Sequence, residues 1–567
     1  MRQFRTLLAG ALALGLVSCS SEEDFSGGTT IPSEGQNVYA SLTLNLPTAR
    51  SQRANVGDEY GQDYENRVGS VLVVLAQKNS DGTYTYVTSS LSDGVPGTGS
   101  TTGSLTTPNP TYTIVFNNAE LLAKAGENVS VFAYANPTQA LRDGLAGFEN
   151  QVADFNPSIW SDNSFLMSSV GEIQEITLPS AEELAASHDT PEKAFKLMKQ
   201  NGNGTYQPVP VERVMARMDY KSGAVDNIYP IQGKVVDKEG NMMTEENVAN
   251  IELTDMALFN MATQYYFLPR TSVDGQNTAY TLCPGRDGME QNYVVGPKAS
   301  EFSSYLSTGS LQLTGYFETP LVEAEGATFT PIKSITAEDN DEGWTGQLDN
   351  TGYHIWRYVV ENPIPKAQPT AGSAERPAAD AQRKGITTGV LFKGKINIVE
   401  GSTLAKNVKD NEPVYMYNDV IYGGIDALAK AAELAPVSSL ADDFKLAFEQ
   451  NESDEWVEKT GDDAPSKHNF TVYRYDAGAG CYPVYYYYYN RHNNNGNNSV
   501  MDEMEFGVVR NNVYKLSVTN ITRFGHPTRD DDPDPEDPDD PDEEQKVYFE
   551  VSCEVLPWVV RVNNIEF

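Results

Sequence analysis

The stretch that decides the fold lies near the amino terminus and reads Val38-Tyr39-Ala40-Ser41-Leu42-Thr43-Leu44-Asn45-Leu46. Apolar residues recur in it at every second position, which is the period of a β-strand whose alternate side chains face a core. The sequence therefore predicts a strand with one buried face. That face would consist of Val38, Ala40, Leu42, Leu44 and Leu46.

Similar strand patterns recur along the chain between Gly, Asn, Asp and Pro breaks, for example at 71–76, 112–116 and 129–135. The 31 Tyr, 21 Phe and 45 Gly residues suit many short strands joined by tight turns, so we expect a mainly β fold of the sandwich type. Helical periodicity is confined to 119–125, 181–199 and 427–448, the last interrupted at Pro436, and these segments are predicted to cover the sandwiches. A chain of 567 residues predicts more than one domain, and two is the simplest number.

The segment directly behind the first strand is a candidate site for proteolysis. Residues 47–54 are small or polar and place Arg50 and Arg53 in an otherwise acidic region. Such a loop is open to a protease that cuts after arginine. The candidate bonds are Arg53-Ala54 and Arg50-Ser51.

The first residues of the chain have the pattern of a lipoprotein signal peptide. A basic start, Met1-Arg2-Gln3-Phe4-Arg5, precedes an apolar stretch at 7–17 and the sequence Leu16-Val17-Ser18-Cys19. The apolar stretch is too short to span a bilayer, and small residues precede the cysteine. We therefore expect Cys19 to become the lipidated first residue, the alternative being an ordinary secretory signal with an incidental cysteine.

The carboxyl terminus repeats the design of the first strand. Residues 530–544 form an acidic, proline-rich run that cannot bury apolar surface and is predicted to be an extended, solvated spacer. Its carboxylates could in principle bind calcium, but the run lacks the glycine turn and the spaced ligands of a dedicated calcium-binding loop. Beyond the spacer an apolar residue again recurs at every second position, at Val547, Phe549, Val551, Cys553 and Val555.

These two strands and the arginine loop predict a mechanism. Cleavage after Arg53 would free the first strand, and its departure would leave a groove of unpaired backbone and apolar side chains. The C-terminal strand of another copy has the periodicity to fill that groove, and the spacer gives it reach. Because donor and acceptor are different surfaces of one chain, the contact propagates as a filament.

Other classes of function find little support in the residues. The net charge of −38 excludes binding to a nucleic-acid backbone, which requires a basic surface. The five histidines form no metal or nucleophile motif, so the chain is predicted to be neither an enzyme nor a cofactor carrier. The tract at 485–489 could stack on sugar rings, but a strand with inward-packed alternate rings is favoured. Three cysteines remain besides Cys19, and they suggest buried thiols rather than disulfides.

A resemblance to a known family rests mainly on the residues near the carboxyl terminus. The run Val509-Arg510-Asn511-Asn512-Val513-Tyr514-Lys515-Leu516-Ser517-Val518, the acidic spacer and Val551-Ser552-Cys553-Glu554-Val555-Leu556-Pro557-Trp558 closely resemble the carboxyl terminus of Bacteroidales fimbrillins. The closest likeness is to the Mfa type, the major subunit of minor fimbriae. Residues 129–137 and 211–217 are similar to two further strands of that family.

The resemblance implies two tandem transthyretin-like Greek-key β-sandwich domains and a precursor that is lipid-anchored in the outer membrane. It implies removal of the first strand by an arginine-specific protease, with Arg53 preferred because Ala54 follows it, as in the family. The implied boundaries are a signal peptide at 1–18, a lipidated propeptide at 19–53, domains at 54–210 and 211–529, a spacer at 530–545 and a donor strand at 546–567.

The implied role is that of a stalk subunit of a surface fimbrium that supports adhesion and biofilm formation. The implied partners are identical subunits, tip and anchor accessory proteins, the processing protease, and host or bacterial surface ligands. The alternatives are a fimbrial tip or anchor component and a surface glycan-binding lipoprotein. The stalk role is favoured because a tip would not need a donor strand and an anchor would not need a cleavage loop.

Overall fold

The computed structural model describes residues 37–46, 59–62, 64–93, 109–156, 165–284, 293–302, 316–317, 328–336, 352–365, 386–493, 504–529 and 549–559. Within these ranges the chain is mainly β, as the sequence predicted. No helix there is both long enough and apolar enough to cross a membrane.

The strands of the first half are β1 (Asn37–Asn45), β2 (Glu59–Tyr60), β3 (Ser70–Lys78), β4 (Tyr84–Asp93), β5 (Thr111–Asn117), β6 (Asn128–Ala135), β7 (Val152–Asp154), β8 (Met167–Ser169), β9 (Gln174–Thr177), β10 (Phe195–Lys196), β11 (Val209–Arg213), β12 (Met215–Tyr220), β13 (Ile228–Val236), β14 (Glu246–Phe259), β15 (Gln264–Tyr266), β16 (Arg270–Ser272) and β17 (Thr281–Leu282). They are followed by β18 (Tyr293–Val294), β19 (Thr330–Pro331), β20 (His354–Val360), β21 (Asn362–Pro363), β22 (Gly389–Ile398), β23 (Val414–Tyr417), β24 (Val420–Gly423), β25 (Phe448–Gln450), β26 (Trp456–Glu458), β27 (Thr471–Tyr473), β28 (Tyr482–Tyr489), β29 (Gly507–Val508), β30 (Asn512–Ile521) and β31 (Phe549–Val559). The α-helices are α1 (Asn118–Leu122), α2 (Gln139–Asp143), α3 (Ala181–Ala186), α4 (Ile332–Ile335), α5 (Thr403–Asn407), α6 (Ile425–Leu434) and α7 (Ser439–Ala447).

The first sandwich is built on a sheet with the order β10-β1-β11-β8-β6-β3-β4, in which β5 also pairs with β1 and β9 with β6. Its strand β3 is buried on both faces. Val71, Val73 and Leu75 face the core that β1 and β5 share, whereas Leu72 and Val74 belong to the core of the second sandwich. Burial on both sides explains why the apolar run of β3 is nearly continuous rather than alternating.

The second sandwich packs two sheets face to face. One has the order β27-β23-β24-β13-β14-β22-β28, and the other has the order β2-β31-β30-β12-β20. Phe392 and Val484 of the first of these sheets and Leu516 and Val518 of the other are buried in one apolar cluster. Both predicted sandwiches are therefore present.

The chain passes from the first sandwich to the second at Val214. Strand β11 pairs in the sheet of the first sandwich, and β12 pairs in the sheet β2-β31-β30-β12-β20 of the second. A further contact joins the segments before and after Val214, because β7 pairs antiparallel with β15. Next to this pairing the Arg270 guanidinium lies 3.7 Å from the ring centre of Tyr266 and donates to Asn150 Oδ1 at 3.1 Å.

Each of the three predicted places contains a helix, although not over its full predicted length. Helix α1 overlaps 119–125, and α6 and α7 lie on either side of Pro436, covering β23 and β24 with an apolar cluster. The prediction of helix over 181–199 is wrong beyond Ala186. There Pro191 opens a short 3₁₀ turn, and Phe195–Lys196 is the strand β10. Proline cannot continue an α-helix, and a groove at the edge of β1 accepts the following residues.

Candidate strand-exchange site

The first predicted strand is an inner strand of the first sandwich. Strand β1 runs antiparallel to β5, with Ala40 opposite Ile114 and Leu42 opposite Tyr112. On its other side it runs parallel to β10 and then to β11, where Leu44 lies opposite Val209. Any strand that replaced β1 in this register would therefore have to run antiparallel to β5 and parallel to β10 and β11.

The alternating side chains of this strand are fully buried. Val38, Ala40, Leu42 and Leu44 are 0% exposed and Leu46 is 1% exposed, which agrees with the face that the sequence predicted. They belong to the apolar core of the first sandwich. Removing β1 would open a groove along the whole length of that core.

The wall formed by β5 depends strongly on β1. Among the described strands, β5 has a backbone ladder with β1 alone. Its contact with β4 is made instead by serine side chains: Ser90 Oγ donates to Val115 O, and Ser92 Oγ donates to Thr113 O at 2.9 Å. Departure of β1 would thus leave the backbone groups of β5 without a strand partner among the described strands. Such an unpaired edge favours pairing with another strand.

The predicted donor strand lies in the second sandwich. Strand β31 pairs antiparallel with β30 of its own chain, with Cys553 opposite Leu516 and Val551 opposite Val518. Its other edge pairs in parallel with β2, where Glu59 lies opposite Trp558. The sequence did not predict this pairing with the strand's own domain.

The apolar face of β31 is less completely covered than that of β1. Val551, Cys553 and Val555 are half-buried and pack at the margin of the large core, while Glu550, Ser552 and Glu554 are exposed. Desolvation raises the pKa of the Cys553 thiol to about 12, so the thiol remains protonated. Val547 lies outside the described residues, and for Phe549 the structure describes the backbone only.

The remaining predicted site residues also lie outside the described residues. These are the lipidation site Cys19 and the two candidate cleavage bonds, Arg50-Ser51 and Arg53-Ala54. The described residues that flank the cleavage loop are Leu46, which directly follows β1, and Glu59 of β2, which lies beside the predicted donor strand. Residues 47–58 therefore connect the groove strand of one sandwich to the strand edge of the other.

One groove strand was missed by sequence reasoning. Phe195 and Lys196 of β10 lie opposite Ala40 and Ser41, but they fall in the segment that was predicted to be helical. Pro191 was the signal that could have ended that helix earlier. The Lys196 ammonium donates to Ser41 Oγ at 2.9 Å, which adds a side-chain contact to the parallel pairing.

The tyrosine tract forms part of β28 rather than an open platform. Tyr485 and Tyr486 are buried, and Tyr487 and Tyr489 make edge-to-face contacts with Phe259. The predicted strand is confirmed, and its rings are packed on both faces. This packing leaves little ring surface for a sugar.

A second groove, of about 530 Å³, lies beside β27. It is lined in part by Glu458, Arg474 and His526. Glu458 accepts from the Arg474 guanidinium and from the Tyr415 hydroxyl at 2.7 Å, and no second carboxylate occurs among the lining residues described. The groove therefore does not offer the pair of carboxyl groups that glycoside hydrolysis uses. In the described part of the chain, no three His, Cys, Asp or Glu side chains are arranged to hold a metal.

Within the described residues, fold and site together define a tandem β-sandwich protein in which β1 and β31 lie in different sandwiches. Residues 481–564 match the family described as "Major fimbrial subunit protein type IV, Fimbrillin, C-terminal". This match covers the region from β28 to β31 and confirms the resemblance to the fimbrillin family that the sequence indicated. No curated protein matches the chain.

Solved structures similar to this chain include two from Porphyromonas gingivalis. One is a fimbrilin (FimA) from strain W83, with 12% identity, coverage of 93% of this chain and 98% of the other, and a TM-score of 0.36. The second is the tip fimbrial protein Mfa3 with a C-terminal truncation, with 12% identity, coverage of 92% and 100%, and a TM-score of 0.30.

Proposed function

We propose that the chain is a stalk subunit of a surface fimbrium, exported as a lipoprotein precursor, activated by cleavage after arginine and polymerised by strand exchange. A fimbrial subunit role is supported by the family match at the carboxyl terminus. The exchange itself is supported by one observation above all: β1 fills a fully buried groove, and a proteolysis-prone arginine loop follows it directly.

The two strands differ in a way that favours the exchange. The four alternating apolar side chains of β1 and the adjoining Leu46 are at most 1% exposed, whereas Val551, Cys553 and Val555 of β31 are only half-buried against their own domain. Moving β31 into the groove of a second copy would bury this face more completely, and burial of apolar area is favourable. Since the groove is in the first sandwich and β31 in the second, copies would add head to tail.

Sequencing the amino terminus of subunits recovered from sheared surface filaments tests the proposal directly. The expected first residue is Ala54, or Ser51 if the alternative bond is cut. A filament subunit that still contains residues 38–46 would contradict the proposal, because its own groove would then be filled. A cell that makes no filaments from this chain would contradict it as well.

A further inference from the structure

A buried cluster of charges joins the segment behind the cleavage loop to the second sandwich. Its centre is Arg217 of β12, which is 0% exposed. The guanidinium pairs with Asp219 through Nη2 at 2.7 Å, with Glu65 through Nη1 at 3.0 Å and with Glu59 through Nη2 at 3.0 Å. The second cation is Lys515 of β30, 1% exposed, whose ammonium lies 2.6 Å from Glu59 Oε2.

Both cations thus bind the carboxylate of Glu59, a residue of the two-residue strand β2. A parallel pairing as short as that between β2 and β31 has little stability of its own. Charge-assisted hydrogen bonds from buried donors are considerably stronger. The position of β2 beside β31 is therefore fixed chiefly by the side chain of Glu59.

The residues that follow Glu59 are also held in place by buried hydrogen bonds. Glu65 is 0% exposed, accepts from Arg217 and Tyr358, and closes its own turn by accepting from Gln62 N. Arg213 Nε donates to Glu65 O at 3.3 Å. None of these contacts involves a residue before Glu59, so cleavage after Arg53 leaves them all in place.

The cluster also reaches β31. The register places Lys515 between Asp219 of β12 and Glu554 of β31, so acidic, basic and acidic residues lie side by side across three strands. Residues directly opposite one another on neighbouring strands interact. Lys515 therefore links the strand that follows the cleavage loop with the predicted donor strand.

We propose that the cluster of Glu59, Glu65, Arg217, Asp219 and Lys515 is a latch that keeps β2 on the outer edge of β31 after cleavage. The inference rests on the proposed function and adds an order of events to it. Cleavage makes the strand in the groove of the first sandwich replaceable, but the donor strand stays in its own sheet, flanked by β30 and β2. The acceptor groove thus becomes open to exchange before the donor strand is released.

Hydrogen exchange of the full chain, read by mass spectrometry before and after cleavage by an arginine-specific protease, tests the latch. In the unchanged chain, peptides covering 59–66 and 549–559 are expected to keep their protection after cleavage. In Glu59→Gln the buried cations of Lys515 and Arg217 both lose the carboxylate of Glu59, and breaking a buried ion pair from one side is strongly destabilising. Exchange of 549–559 in the cleaved variant should then be at least about tenfold faster.

Glu433→Gln is the matched control, because it breaks the exposed pair between Glu433 and Lys430 and should leave 549–559 unchanged. If Glu59→Gln yields too little folded chain, Lys515→Met removes the same contact from β30 and changes no residue of β2 or β31. Loss of protection at 59–66 on cleavage of the unchanged chain would overturn the latch. So would exchange at 549–559 in Glu59→Gln or Lys515→Met no faster than in the control.

These outcomes are separate from the test of the proposed function. Exchange is measured on single chains in solution, so it does not depend on polymerisation. Filaments built by strand exchange without a protected 59–66 segment would refute the latch alone. Protected segments in a chain that never forms filaments would refute the proposed function alone.

Discussion

The strength with which the cleaved first strand is retained can be predicted from its burial. Val38, Leu42, Leu44 and Leu46 are each 0–1% exposed, and burying such a side chain contributes about 1.5–3 kcal/mol. The four together contribute about 6–12 kcal/mol before backbone bonds and ordering are considered. We therefore expect the cleaved fragment to stay in its groove under native conditions until another strand displaces it.

Leu42→Ala should weaken this retention without touching the groove walls. A Leu→Ala change in a packed core costs about 2–5 kcal/mol. At 1.4 kcal/mol for each factor of ten, this corresponds to retention weaker by roughly 30-fold to several thousand-fold. Val115→Ala on β5, where the side chain is 37% exposed, is the control and should have little effect.

The assay is cleavage by an arginine-specific protease followed by gel filtration and mass spectrometry over time. The fraction of chain that still carries the fragment is measured with and without a peptide of sequence 547–559. The fragment should leave Leu42→Ala quickly and the unchanged chain slowly, and the peptide should accelerate both. Immediate loss from the unchanged chain, or equal rates for Leu42→Ala and Val115→Ala, would refute the reasoning.

The remaining predictions concern processing, delivery, pH and the donor strand. Changing both Arg50 and Arg53 to Ala should leave uncleaved precursor and abolish filaments, as seen by immunoblotting and electron microscopy; normal filaments would contradict the activation step. Cys19→Ala should prevent labelling by a fatty-acid analogue and remove the chain from the outer-membrane fraction. Burial lowers the pKa of His492 from 6.5 to about 4, so the unfolded state takes up the proton first as the pH falls. The free energy of unfolding should therefore drop by roughly 2 kcal/mol more between pH 7 and pH 5 than it does in His492→Gln, as measured by denaturant titration. Val551→Asp should shorten filaments, because it would place an unpaired charge in an apolar groove, while thermal melting of the monomer should change little since Val551 is only half-buried.

The strands were predictable from the sequence where one face is buried and the other is not. The period-two pattern of residues 38–46 identified the five apolar side chains that the structure buries, although Ser41 is buried as well and accepts a hydrogen bond from Lys196. Pattern reasoning was less informative for β3, whose two faces belong to two different cores. It failed at β10, where the pairing of Phe195 with Ala40 outweighs the helical periodicity of the preceding residues.

The charge cluster and the placement of β31 could not be predicted in the same way. Arg217 and Asp219 are two residues apart on one strand, but their partners Glu59, Glu65 and Lys515 come from remote parts of the chain. A contact of this kind depends on how the sheets are stacked, which no local pattern encodes. The placement of β31 could not be predicted either, because the same apolar face could pack against β30 of its own chain or in the groove of a second copy. Its local sequence does not decide the choice between these two places.

That choice explains why a cut in the backbone would be needed for assembly. While residues 47–58 are intact, β1 is part of the same molecule as its groove, and an intramolecular strand is present at a high effective concentration. A strand from a second copy then competes poorly, even with an apolar face of equal length. Cleavage turns β1 into a separate peptide that is diluted once it leaves, so the gain in its translational freedom opposes its return. A donor strand covalently linked to a folded domain, by contrast, brings its own half-exposed apolar face with it and gains burial in the groove. The cut therefore shifts the equilibrium from filling of the groove within one chain to filling between chains, without changing any side chain of the groove.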